Sequence, residues 1–157
     1  MTEEQIALGR RAVACRGWRW MPGMEFHLDG AGAMSSGWRI QSVQMRVVDG
    51  WAHAVRTVIA GPCEFIMAPH GNIHVRFTDG TLSRKPSGTT MLPCLDDSAT
   101  RGCLLALVRE AHAVPFLQVS VSISREHGYR FECNPHHRGQ WVNSEAEALV
   151  AALEDAP

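Results

Sequence analysis

The chain has 157 residues, 45% of them hydrophobic and 20% charged, with a formal net charge of −1. This composition excludes an intrinsically disordered protein, and one domain of this length buries roughly 70% of its unfolded surface. A charge so close to zero argues against general nucleic-acid binding, which carries a strongly basic domain, and no window reaches the ~18 consecutive apolar residues of a membrane helix.

A single domain over 1–157 is therefore expected. The five cysteines (Cys15, Cys63, Cys94, Cys103 and Cys133) are odd in number and show no paired spacing, and "MTEEQIALGRR" opens without an apolar signal segment. That pattern predicts free thiols in a reducing cytoplasm.

The first predicted helix is capped by Thr2, with Gln5 completing a capping box and Glu3 and Glu4 favoured by the helix dipole. Ile6, Leu8, Ala12, Val13 and Cys15 form its apolar stripe. Gly17 stops it, and Pro22-Gly23 turns the chain. The glycines and serines of "FHLDGAGAMSSG" (26–37) predict a loop. "WRIQSVQMRVV" (38–48) reads as a strand on which Val43, Met45 and Val47 alternate. Trp38 and Ile40 fall on the other parity, so a bulge or change of face is expected near Ser42. Asp49-Gly50 then predicts a hairpin into "WAHAVRTVIA" (51–60), closed by Gly61-Pro62.

"CEFIMA" (63–68) and "NIHVRFT" (72–78) predict a second hairpin around "PHG", and Asp79-Gly80 a further turn. "SRKPSGTT" (83–90) reads as a flexible stretch between a sheet-rich front and a helix-rich back. The second helix is capped by Asp96 or Asp97, with Leu104, Leu107, Val108 and Ala111 on one face, and Pro115 ends it. "FLQVSVSIS" (116–124) alternates, placing Leu117, Val119, Val121 and Ile123 inward and the serines outward. Tyr129, Phe131 and Cys133 alternate on the next strand, and "NPHHRGQ" reads as a loop. Ser144 and Glu147 predict another capping box, opening a helix with Ala146, Leu149, Val150 and Leu153 on one face. The expected fold is α+β and sandwich-like, in the order α-β-β-β-β-α-β-β-α, with about six antiparallel strands and three helices.

"ALGRRAVACRGWRWMPGM", "LPCLDDSATRGCLLALVREAH" and the terminal "SEAEALVAALEDAP" resemble stretches of uncharacterised small bacteriophage and prophage proteins. The arrangement is similar to the phage ABA-sandwich type, in which N-terminal, middle and C-terminal helices bracket a sheet. The resemblance covers the opening segment and roughly the last third. It implies a phage origin and brings no catalytic residues with it.

Motifs for chemistry are sparse. Cys133, His136 and His137 lie together and His70 and His74 are four apart, but neither set has the paired spacing of a zinc site, so no metal is expected. No G-x-S-x-G elbow and no phosphate-binding loop occurs, so no catalytic residue and no cofactor is assigned. Cys103 sits early in the second helix, where a dipole lowers a thiol pKa, but its leucine neighbours favour a buried, inert thiol. The candidate ligand or partner residues are Arg16, Trp18, Arg19 and Trp20. Arginine forks suit phosphate and tryptophan faces suit a base. The competing and preferred reading is a helix end followed by an extended plug, with the tryptophans in the core.

The functional expectation is a non-enzymatic, phage-encoded binding protein in the host cytoplasm. It would inhibit a host defence component such as a CRISPR effector through protein–protein contact. The alternative is a small-ligand binder that sequesters a nucleotide immune signal in a pocket of Arg16, Arg19 and a tryptophan. An enzyme would need a constellation hidden in 25–91, where the loops "PHGN" and "FTDG" could meet.

Overall fold

The structure, a computed structural model, describes residues 1–30, 37–48, 53–68, 72–113, 119–133 and 137–157. Among these are three helices and eleven strands in three antiparallel sheets, an α+β architecture. The chain divides into two compact units, 20–94 and the flanking 1–19 with 95–157.

The described residues of the 20–94 unit form strands and no helix. In chain order its strands are β1 (Glu25–Asp29), β2 (Trp38–Arg39), β3 (Ser42–Val47), β4 (Ala54–Ala60), β5 (Cys63–Met67), β6 (Ile73–Arg76), β7 (Leu82–Arg84) and β8 (Thr90–Pro93). One sheet has the order β2-β1-β8, the other β3-β4-β5-β6-β7. Both expected hairpins are present as pairings, β3 with β4 and β5 with β6. Their turns at Asp49-Gly50 and "PHG" lie outside the described residues. The parity change foreseen near Ser42 is a switch of sheets: β2 pairs with β1, and β3 with β4.

One loop expectation is corrected. β1 occupies the start of the stretch read as a loop, because Phe26 and Leu28 alternate into the core while the strand pairs with β8 from Phe26↔Pro93 to Asp29↔Thr90. The stretch read as flexible, 83–90, contributes to β7 and opens β8, since pairing with β6 and β1 satisfies backbone groups that local sequence leaves undecided. The Gly61-Pro62 turn is confirmed: Ala60 faces Cys63, and Gly61 takes φ +57, the left-handed region that favours glycine.

The core of this unit is aromatic. Phe26 of β1 meets Phe65 of β5 edge-on at 4.9 Å, Trp38 meets Phe65 at 5.3 Å, and Trp20 meets Phe26 at 5.8 Å. These contacts join the two sheets into a sandwich. Each edge-to-face pair adds about 0.5–1.5 kcal/mol beyond area burial.

The other unit contains α1 (Glu3–Ala14), α2 (Ser98–Ala111), β9 (Val119–Ser124), β10 (Gly128–Cys133), β11 (His137–Arg138) and α3 (Glu145–Glu154). The capping box on α1 forms as expected: Gln5 N–H donates to the Thr2 hydroxyl and the Gln5 carboxamide oxygen accepts from Thr2 N–H. Asp97 is the cap of α2, accepting from Thr100 N–H at 2.8 Å. Asp96 instead accepts a hydrogen bond from the Gln5 side chain. On α3 the Ser144 hydroxyl accepts from Glu147 N–H, but the Glu147 carboxylate reaches Asn143 N–H, one residue before the cap. The second capping box is therefore displaced by one position.

α3 packs against α1, α2, β9 and β10. Contact on so many sides explains why Ala148 and Ala152 are buried along with Ala146, Leu149, Val150 and Leu153. A helix apolar almost all round belongs in an interior. The sheet has the order β11-β10-β9. Its inward face is anchored by Phe131, which lies 5.6 Å from the His112 ring. Ile123 departs from expectation, being 73% exposed. It sits at the turn end of β9, which among the described residues pairs only with β10, one alternation beyond Val121, which faces Phe131. The "NPHHRGQ" stretch contributes the short β11 rather than loop alone. Gly128 is required where it stands: its φ is +85, and a Cβ there would lie 2.3 Å from the Val142 carbonyl oxygen.

Candidate functional site

The four candidate residues of the opening segment fall in both units. Arg16, Trp18 and Arg19 belong to the unit containing 1–19, whereas Trp20 belongs to the 20–94 unit. After α1 the chain turns, with Trp18 N–H donating to the Cys15 carbonyl. Trp20 is 6% exposed against Phe26, a packing role. Arg19 grips Glu110 with both guanidinium nitrogens, at 2.9 and 2.6 Å. The pair sits on the surface, where such bridges add little stability.

The Arg19 hydrogen bond holds the Glu110 carboxyl below its ordinary pKa. A depressed carboxylate pKa contributes stability above the unfolded value and loses it as pH falls through the folded value. Arg19→Gln is expected to return Glu110 toward the ordinary glutamate range. A carboxyl-carbon NMR titration checks this, and an unchanged Glu110 midpoint contradicts the pairing.

Arg16 lines a surface groove of about 630 Å³, together with Arg11, Cys15, Gly17, Leu153 and Glu154. Arg11 is bidentate to Glu154, at 3.0 and 2.7 Å. The groove thus offers a cation and an ion pair over an apolar floor. Neither Arg19 nor any tryptophan lines it.

A different surface emerges on β3. Antiparallel pairing puts Val43, Val58, Phe65 and Val75 in one cross-strand row, and Met45, Arg56, Met67 and Ile73 in the next. In the first row Val58, Phe65 and Val75 are fully buried. In the second, burial decays outward along the sheet from Ile73, 4% exposed, to Met45, 65% exposed; Val47, one row on, is 72% exposed. The core face therefore continues into solvent at the outer strand. On the opposite face Arg46 reaches Glu64 at 2.9 Å, and Arg76 reaches the same carboxylate. Among the described residues β3 pairs on one side only, with β4. Sequence alternation located this strand but not its exposure.

Burial raises the pKa of the Cys15, Cys63 and Cys103 thiols, the opposite of what a nucleophile at neutral pH requires. The inert reading of Cys103 fits this direction, but the residue is half-buried rather than buried. Of the histidines considered as ligands, His70 and His136 lie outside the described residues. A trio not foreseen does converge: Glu25, His27 and Cys94, each half-buried, have ligand atoms within 4.8 Å of one another. His27 lies in the stretch read as a loop and Glu25 just before it, so nothing in local spacing linked them to Cys94.

Among the described residues, fold and surface define an α+β protein with an apolar strand paired on one side and a small mixed-donor cluster. No family model matches the chain, and comparison with curated proteins and with solved structures returned no match.

Proposed function

We propose that the chain is a non-enzymatic, phage-encoded binding protein that inhibits a host antiviral-defence protein, with a CRISPR effector as the target and the host cytoplasm as the setting. The observation that supports this most is the exposed apolar pair Met45 and Val47 on β3, which among the described residues is an edge strand. An edge strand offers unpaired backbone groups to an incoming strand, and alternate side chains supply specificity. Here the anchors are Met45 and Val47, and Arg56 beside them favours a partner strand with an acidic flank. No described helix is long and apolar enough to cross a membrane.

The resemblance of the opening, middle-helix and terminal segments to phage proteins supports the phage setting. The nucleotide-sequestering alternative has less support, because Arg19 is engaged by Glu110 and the groove holding Arg16 has no stacking tryptophan. The test is direct binding of the purified chain to a purified effector complex by calorimetry. Met45→Asp and Val47→Asp are each expected to cost about 2 kcal/mol or more if they are hot spots, roughly thirtyfold in Kd. Equal affinity of wild type and the double variant contradicts the docking surface.

A further inference from the structure

We propose that Glu25, His27 and Cys94 form a half-buried zinc site on the face of the β2-β1-β8 sheet opposite Phe26 and Leu28. The backbone puts them there. Glu25 and His27 are two apart on β1 and share a face, while Phe26 and Leu28 point to the core. Cys94 follows β8, and its N–H donates to the Glu25 carbonyl at 2.8 Å, which continues the β1–β8 register and brings the thiol alongside.

The donor set selects the ion. Thiolate, imidazole and carboxylate together suit Zn²⁺, whereas Ca²⁺ and Mg²⁺ take oxygen ligands. Bond lengths of about 2.0–2.3 Å in a tetrahedron place donors about 3.5 Å apart. The trio, within 4.8 Å of one another, reaches that spacing by small side-chain rotations. The carboxylate is already positioned. Arg39 donates to Glu25 Oε2 at 2.9 Å while its other nitrogen holds the Gly23 carbonyl at 2.8 Å. Gly37 leaves room for the second oxygen, since a Cβ there would lie 2.2 Å from Glu25 Oε1. Arg39 thus acts as the outer partner that orients a ligand. Binding releases the Cys94 proton to solvent and leaves a fourth position for water or a partner's side chain.

Cobalt titration of the reduced, purified chain tests this. One equivalent of Co²⁺ is expected to give a sulfur-to-cobalt charge-transfer band that Zn²⁺ abolishes. Cys94→Ser should eliminate the band, Cys15→Ser should retain it, and Arg39→Gln should weaken Co²⁺ affinity about 10–100-fold. Far-UV circular dichroism reports whether each variant is folded. His27→Gln keeps the thiol, and should lower affinity at least tenfold, so it decides the matter if Cys94→Ser does not fold. Absence of the band, or its persistence at full affinity in either Cys94→Ser or His27→Gln, overturns the site.

Discussion

Phe65→Ala is expected to destabilise the 20–94 unit by about 3–5 kcal/mol, the range for removing a buried aromatic ring. The ring is fully buried and makes edge-type contacts with both Phe26 and Trp38. It also fills the cross-strand row between Val58 and Val75. Truncation therefore removes transfer energy, two aromatic contacts and the packing that joins the sheets. Phe65→Leu, which retains much of the volume, should cost less. Urea unfolding followed by tryptophan fluorescence measures both, because Trp20 and Trp38 report on this core. A shift below about 1 kcal/mol for the alanine variant would contradict the sandwich packing, as it falls in the range of surface substitutions.

Leu149→Ala is the counterpart in the helical unit, with an expected cost of about 2–5 kcal/mol. Leu149 is fully buried in the middle of α3. That helix touches α1, α2 and the β9–β10 hairpin, so collapse around a cavity there would have to move several elements at once. Ile123→Ala provides the contrast. Alternation alone assigns Ile123 to the interior, but at 73% exposure its truncation should change stability by no more than about 0.5 kcal/mol. Comparable losses for the two variants in urea unfolding would favour the alternation reading over the structure.

The sequence disclosed what is decided locally. Caps at Thr2, Asp97 and Ser144 mark helix starts because a side chain satisfies a backbone N–H two or three residues away. Hairpins were legible for the same reason. β1 and β8 were not, because they pair with one another although the whole five-stranded sheet separates them in sequence. The same distance hid the candidate sites. Arg19 looked available for a ligand until Glu110, a residue of α2, was placed beside it. Met45 and Val47 showed strand periodicity, but period two is silent on whether a face is covered. The Glu25, His27 and Cys94 trio depends on strand register, which no spacing motif encodes.

The central claim is inhibition of a host defence through the β3 surface, and phage plating tests it most directly. The chain is expressed in a bacterium whose CRISPR effector restricts an incoming phage, and plaquing efficiency is compared with an empty vector. The prediction is that wild type restores plaquing, while the Met45→Asp, Val47→Asp double variant, folded and equally abundant, does not. Restriction undiminished by the wild-type chain, or relieved equally by the double variant, would contradict it.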